Sequence, residues 1–102
     1  MLGFQARRFK HFLLTYKYVE GMVDKRAPYR DAHIAHARAY EPRGLVLIGA
    51  LQNPIDTGVL LFEGEEKMIK DYAQNDPYVV NRLVTDYTIR EITIVAGSLL
   101  KK

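Results

Sequence analysis

The chain has 102 residues and no cysteine, which excludes a disulfide scaffold, a thiolate zinc site and a cysteine nucleophile. Hydrophobic residues make up 48% of the sequence, so we expect a globular chain, and the length predicts a single domain over 1–102. The net charge is +3, but the excess basic residues lie in "ARRFKH" and "DKRAPYR", which we interpret as solvated ends of elements, so nucleic acid is not expected as a partner.

The first half of the chain predicts a strand, a helix and a second strand. Aromatic and β-branched residues at period two predict a strand over 11–19, whose one face carries Phe12, Leu14, Tyr16 and Tyr18. Segment 20–27 is a predicted polar loop, and Pro28 suits the first turn of a helix over 29–41. The apolar run at 45–51 is too short for a helix and predicts a buried strand.

The second half predicts a turn, two strands and two helices. Asn, Pro, Asp and Gly in 52–58 predict a turn, which makes the strand at 59–63 the second arm of a hairpin. Acidic residues at its start and apolar residues at helical spacing predict a helix over 65–75. Pro77 ends that helix and begins a short one over 77–84, and alternation predicts a last strand over 87–97.

The predicted order β-α-β-β-α-β is that of a ferredoxin-like α+β fold. Its four-stranded antiparallel sheet would carry both helices on one face, so the other face needs cover. Tyr16 and Tyr18 are candidates for that open face. A second copy of the chain could supply the cover, and we therefore expect a homodimer.

Two histidines, His33 and His36, lie three residues apart and would be neighbours on the predicted helix. Such a pair can chelate a metal, but a site wants a third and usually a fourth ligand. The remaining ligands would have to come from His11 or from carboxylates. We therefore predict no metal site, and we predict that His36 is a partly exposed helix residue.

Asp76 precedes a proline at the start of a predicted helix, where an aspartate commonly serves as the N-cap. A functional role is compatible with capping, because only one carboxylate oxygen need cap. Tyr78 follows in the same corner, and Arg30, Tyr16 and Arg82 could each meet an anionic or phenolic ligand or lie at the surface. These four residues are candidates for substrate binding.

Four segments, "YRDAHIAHA", "GALQNPIDTGVLLFE", "DPYVVNRLV" and "IREITIVAG", resemble the YCII-related (YciI-like) family in order and spacing, over about 11–97. The resemblance implies a dimeric α+β barrel of ferredoxin-like halves. It also implies that His33 and Asp76 lie together in a cleft as the catalytic pair, with Arg30 matching an arginine of the family. Arg82 stands where the family commonly has glycine, so its side chain must either point outward or enter the cleft.

A carboxylate that accepts from one imidazole nitrogen fixes the tautomer and leaves the other nitrogen free as a base. No serine or cysteine nucleophile is obvious beside the pair, which favours elimination, isomerisation or hydration of a small organic molecule. No G-x-G-x-x-G loop is present, so we expect no cofactor. Two functions stay open: a cofactor-free enzyme of lyase or isomerase type, or a non-catalytic dimeric module that binds a small ligand or another protein.

The location of the protein is predicted from three features. The opening "MLGFQARRFKHFLL" is basic and acid-poor like a mitochondrial presequence, but its lack of serine and immediate run into a strand favour a simple N-terminus. No apolar stretch approaches the ~18 residues of a membrane span, so no membrane is expected as a partner. The absence of cysteine fits a reducing compartment, and we expect the cytoplasm.

Overall fold

The computed structural model describes residues 10–98. Of the basic opening segment at 1–14, residues 1–9 lie outside the described residues, and residues 10–14 belong to β1. Helices and strands follow in the order β1 Lys10–Tyr18, α1 Met22–Lys25, α2 Arg30–Ala39, β2 Leu45–Ala50, β3 Thr57–Gly64, α3 Glu66–Asn75, α4 Pro77–Val80 and β4 Val84–Ile92, with 3₁₀ turns at Ala27–Tyr29 and Glu41–Arg43. Among these described helices, none is long and apolar enough to cross a membrane.

The four strands form one antiparallel sheet in the order β2-β3-β1-β4. β1 is central and pairs with both β3 and β4, whereas β2 pairs only with β3 in the predicted hairpin. This is the strand order that two β-α-β units produce when their connections keep the usual right-handed crossover. The predicted ferredoxin-like α+β fold, the subunit fold of dimeric α+β barrels, is therefore confirmed.

The core lies between the sheet and the helices α2 and α3. From β1 and β3 it takes alternating side chains, and from α3 the ring of Tyr72 packs edge-on against Phe62, with ring centroids 5.1 Å apart. The core residues with at most 2% exposure are Leu14, Tyr16, Met22, Leu60, Phe62, Ile69, Tyr72, Ala73 and Tyr78. This packing places β1 beneath α2 and the start of α4, where the candidate site lies.

The suggestion that Tyr16 and Tyr18 lie on the open face of the sheet is wrong. Both belong to the face covered by helices, with 0% and 9% of their surface exposed. Strand alternation separates two faces but does not say which one is covered. The open face instead carries Leu13, Leu47 and Leu61, which the strand register places side by side across β1, β3 and β2.

Strand β2 is present, but the prediction that it is a buried strand is wrong for the single chain. Only Leu45 is buried, while Leu47 is 51% exposed and Ile48 is 38% exposed. The strand lies at the edge of the sheet, and its register with β3 is irregular between Leu45 and Leu47. An apolar run thus predicts the strand correctly without predicting how much of it the chain covers.

The predicted loop at 20–27 contains a short helix, α1. Gly21 precedes it in a left-handed conformation, and Met22 inserts into the core with 2% exposure. Met22 is the only buried residue of α1, so this segment has no helical repeat of buried residues and its sequence pattern favours a loop. The helix turns the chain so that Arg26 and Arg30 lie on one side of α2.

Candidate active site

Three elements that are distant in sequence bring Tyr16, His33 and Asp76 into one hydrogen-bonded group. The Nδ1 atom of His33 on α2 lies 2.8 Å from Oδ1 of Asp76. The Tyr16 hydroxyl on β1 donates to Oδ2 of the same carboxylate at 2.7 Å. All three side chains are buried, and Asp76 has no exposed surface. The structure thus brings the predicted histidine and aspartate into direct contact.

Asp76 is also the N-cap of α4, as the sequence predicted. Its Oδ1 atom accepts from the backbone N–H of Tyr78 at 2.9 Å, and Pro77 fills the first helical position, where no N–H is needed. The carboxylate therefore accepts three hydrogen bonds, from a phenol, an imidazole and a backbone amide. This number of donors compensates an ionised carboxylate for its complete loss of water.

The imidazole of His33 is fixed in orientation by a second contact. The Tyr78 ring stacks on it, with ring centroids 3.6 Å apart and planes within 5° of parallel. Because a carboxylate accepts and does not donate, Nδ1 carries a proton toward Asp76. Nε2, on the opposite side of the ring, has no hydrogen-bond partner among residues 10–98. That nitrogen is therefore available to take or give a proton.

A cavity of about 440 Å³ lies beside His33, between α2 and the edge strand β2. One face of α2 forms its first wall, with residues at helical spacing from Arg30 through His33 and Ala37 to Arg38. Ile48 and Gly49 of β2 belong to the lining, together with Tyr18 and Tyr78. This volume lies within the range of small-molecule sites, about 300–1,000 Å³.

The lining of the cavity is strongly basic. Arg26, Arg30 and Arg38 contribute to it against a single carboxylate, that of Glu41. None of the three arginines forms an ion pair with a residue of the described chain. The sequence analysis did not single out Arg26 and Arg38. Arg26 precedes Arg30 by four residues and Arg38 follows it by eight, and this spacing is the signal that puts all three on one side of a helical run.

Two tyrosines of the lining have perturbed acidity. Burial raises the pKa of Tyr78. The guanidinium of Arg30, through a hydrogen bond and its charge, and then that of Arg26 oppose this increase. Burial, with the neighbouring Tyr78 and Asp76, raises the pKa of Tyr18 to about 12. Both phenols are therefore neutral donors at physiological pH.

The other residues singled out in the sequence lie elsewhere. Tyr16 does not line the cavity, because its hydroxyl is directed at Asp76. Arg82 is exposed at the end of α4 with φ of 64° and is absent from the lining, so its side chain does not enter the cleft. His36 lies 2.9 Å from the backbone oxygen of Tyr72 through Nε2 and stacks on the ring of that tyrosine, a structural contact between α2 and α3. Arg30 and Tyr78 are thus the candidates that share the cavity with His33.

Within residues 10–98, no group of three or more histidines, aspartates and glutamates is arranged so that it could hold an ion. His33 and His36 have separate partners on Asp76 and Tyr72. The chemistry that the site can perform with its own residues is proton transfer at His33.

The chain thus has the subunit fold of the dimeric α+β barrels, with a buried histidine–aspartate pair at a cavity. Two solved structures share this fold. One is the 5-chloro-2-hydroxyhydroquinone dehydrochlorinase of Burkholderia phenoliruptrix in complex with 2,5-dihydroxybenzoquinone, with a TM-score of 0.70 and 16% identity over 81% of this chain and 93% of that one. The other is PA3566 of Pseudomonas aeruginosa, with a TM-score of 0.55 and 10% identity over 88% of this chain and 97% of that one. No protein-family model matches the sequence, and no curated protein matches it significantly.

Proposed function

We propose that this chain is a cofactor-independent enzyme of the YCII-related family, which uses His33 and Asp76 for acid–base chemistry on a small organic molecule. One observation carries the proposal. The Nδ1 atom of His33 lies 2.8 Å from the buried carboxylate of Asp76, while the same ring lines a cavity of about 440 Å³. A base oriented by a carboxylate at the wall of a ligand-sized cavity is the arrangement that general acid–base catalysis needs.

The proposed reaction is of the lyase or isomerase type. His33 Nε2 takes a proton from a C–H bond next to a carbonyl, and the electron pair of that bond moves into the carbonyl to form an enolate. Asp76 stabilises the imidazolium that results. Return of the proton to a different carbon completes an isomerisation. Collapse of the enolate with loss of an anionic leaving group completes an elimination, and the proton then passes to the leaving group or to water.

Hydroxylated rings are the first substrates to try. The structural neighbour from Burkholderia is a dehydrochlorinase of a chlorinated hydroxyhydroquinone and holds 2,5-dihydroxybenzoquinone. At 16% identity this similarity supports the fold and not the substrate. We choose hydroxylated aromatic compounds and lactones as the panel of test compounds, because their ring positions next to an enol or a carbonyl exchange protons.

The experiment that tests the proposal follows proton transfer directly. Members of the panel are incubated with the protein in D₂O, and deuterium incorporation and product formation are followed by NMR. We expect at least one compound to exchange or react faster than without protein, and His33→Gln to abolish this acceleration. His36→Gln, one helical turn away, is the matched control and should retain it.

Equal activity of wild type and His33→Gln would contradict the proposal. Binding of panel compounds without exchange or turnover would favour the other function, a non-catalytic module that binds a small ligand. The two results are separable because binding can be measured by thermal shift on the same variants.

We further propose that the protein is a homodimer located in the cytoplasm. Leu13, Leu47 and Leu61 form an apolar row on the sheet face that carries no helix, and Leu47 alone is 51% exposed. A second copy would cover this row and remove it from water. A chain without cysteine suits a reducing compartment.

A further inference from the structure

The cavity beside His33 has more positive charge than its own residues neutralise. Three arginines line it and only Glu41 opposes them, while none of the three is ion-paired within the described chain. We propose that the ligand of this cavity is a small planar organic anion, a carboxylate or an ionised enol or phenol, bound through Arg30. This inference rests on the site of the proposed function and names the class of molecule that the site takes.

Tyr78 fixes the place of Arg30 in this cavity. The Tyr78 ring stacks on His33, with ring centroids 3.6 Å apart, and Tyr78 belongs to the cavity lining. Burial raises the pKa of the Tyr78 phenol, and the guanidinium of Arg30 opposes this increase by a hydrogen bond and by its charge, so the two groups lie close together. Because Arg30 forms no ion pair within the described chain, its guanidinium is the donor that an anionic oxygen beside His33 would meet.

The remaining walls fit a flat apolar body. Ile48 and Ala50 line the cavity from β2, and the strand register places both on the face of the sheet that the helices cover. The anionic end of a ligand would meet Arg30 while its ring lies along β2. The same cations would hold the negative charge of an enolate formed when His33 removes a proton.

The charge requirement is tested with benzoate and benzamide, which have the same shape but differ in charge. Binding to the intact protein is measured by calorimetric or NMR titration at low ionic strength. We expect benzoate to bind at least about tenfold more tightly than benzamide, as for a charge-assisted hydrogen bond. Arg30→Gln should remove this preference, whereas Arg43→Gln, whose guanidinium lies over the Tyr40 ring outside the cavity, should retain it.

A second variant separates ligand binding from folding. Tyr78→Phe keeps the ring that stacks on His33 and removes only the hydroxyl beside Arg30, so the free protein should keep its fold, as thermal denaturation reports. We expect the same variant to weaken benzoate binding severalfold. A purely structural hydroxyl would leave the affinity for benzoate unchanged.

Equal affinity for benzoate and benzamide, or no binding of benzoate at millimolar concentrations, would overturn the inference. His33→Gln should still prefer benzoate, because the anion is bound by Arg30. If His33→Gln loses turnover but benzoate and benzamide bind equally, the ligand class is wrong and the proposed function stands. If the preference for benzoate depends on Arg30 but no compound turns over, the ligand class stands and the proposed function is wrong.

Discussion

The carboxylate of Asp76 combines two roles at one residue. Its Oδ1 atom caps α4 and meets the His33 ring, while Oδ2 accepts from Tyr16. The residue types and the D-P-Y corner predict the cap and suggest the pairing with His33. The contribution of Tyr16 could not be predicted, because 60 residues separate it from Asp76 and only the packing of β1 under α4 brings the two together.

Removal of the Tyr16 hydroxyl should destabilise the protein through Asp76. Tyr16→Phe keeps the ring in the core but leaves Oδ2 buried without its donor, so the free energy of unfolding should fall by about 1–3 kcal/mol. Urea denaturation measures this change. Tyr87→Phe is the control, since Tyr87 packs edge-on against Tyr16 without taking part in the group around Asp76. Equal and small losses in both variants would show that the hydrogen bond to Asp76 contributes nothing.

At the scale of one element, helix α2 separates its two histidines by function. The face at positions 30, 33, 34, 37 and 38 lines the cavity, while His36 points to α3 and its Tyr72. Helical spacing alone places His33 and His36 on neighbouring faces but does not say which face meets a cavity. The resemblance to the YCII-related family was needed to choose His33, and the structure places that histidine beside Asp76.

Arg82 lies at the end of α4 with φ of 64°, the left-handed conformation in which glycine is favoured. Arg82→Gly should therefore raise the free energy of unfolding by roughly 0.5–1 kcal/mol, as measured by chemical denaturation. Asn81→Gly, at φ of −95° and with its side chain bonded to Pro77, should instead lower it. A loss of stability in Arg82→Gly would mean that the arginine side chain makes a compensating contact.

At the scale of the whole molecule, the sequence predicts the fold better than it predicts exposure. The order of elements and the hairpin follow from periodicity and turn residues, and the sheet order confirms them. The prediction that β2 is buried was wrong, because the sequence of an apolar edge strand cannot be distinguished from that of a core strand until its neighbours are known. On the helix-free face, the half-buried Leu13 and Leu61 and the exposed Leu47 form the apolar row that a second copy would cover.

The homodimer proposal predicts a mass in solution of about twice the 11.7 kDa chain. Sedimentation at micromolar concentration is the measurement, because interfaces that bury a whole sheet face are usually stable. Leu47→Lys should shift the protein toward monomer, since it puts a charge into the apolar row. Val80→Lys, on the exposed side of α4, is the control and should leave the mass unchanged. A wild-type monomer would contradict the proposal.

Buried tyrosines should make the fold sensitive to alkaline pH. Burial is the largest cause that raises the pKa of each of four phenols, those of Tyr16, Tyr18, Tyr72 and Tyr78, with the value for Tyr18 at about 12. In the unfolded chain these groups ionise near pH ~10, so their stabilising contribution is present below that pH and is lost as pH rises through the folded pKa.

Urea denaturation between about pH 9 and 11, with tyrosinate absorbance followed in parallel, measures this loss, and we expect stability to fall by up to about 1.4 kcal/mol per pH unit for each tyrosine. Unchanged stability up to about pH 11 would contradict the conclusion that burial raises the pKa values of these phenols.

The central claim is that Asp76 holds the proton on Nδ1 of His33 and leaves Nε2 free toward the cavity. The long-range ¹H–¹⁵N correlation spectrum of ¹⁵N-labelled protein reports which ring nitrogen carries the proton when the imidazole is neutral. The 2.8 Å contact between His33 and Asp76 predicts the Nδ1–H tautomer, with Nε2 resonating as an unprotonated nitrogen that responds to added benzoate. A neutral His33 protonated on Nε2 would contradict the account, because its base would then face the carboxylate and not the cavity.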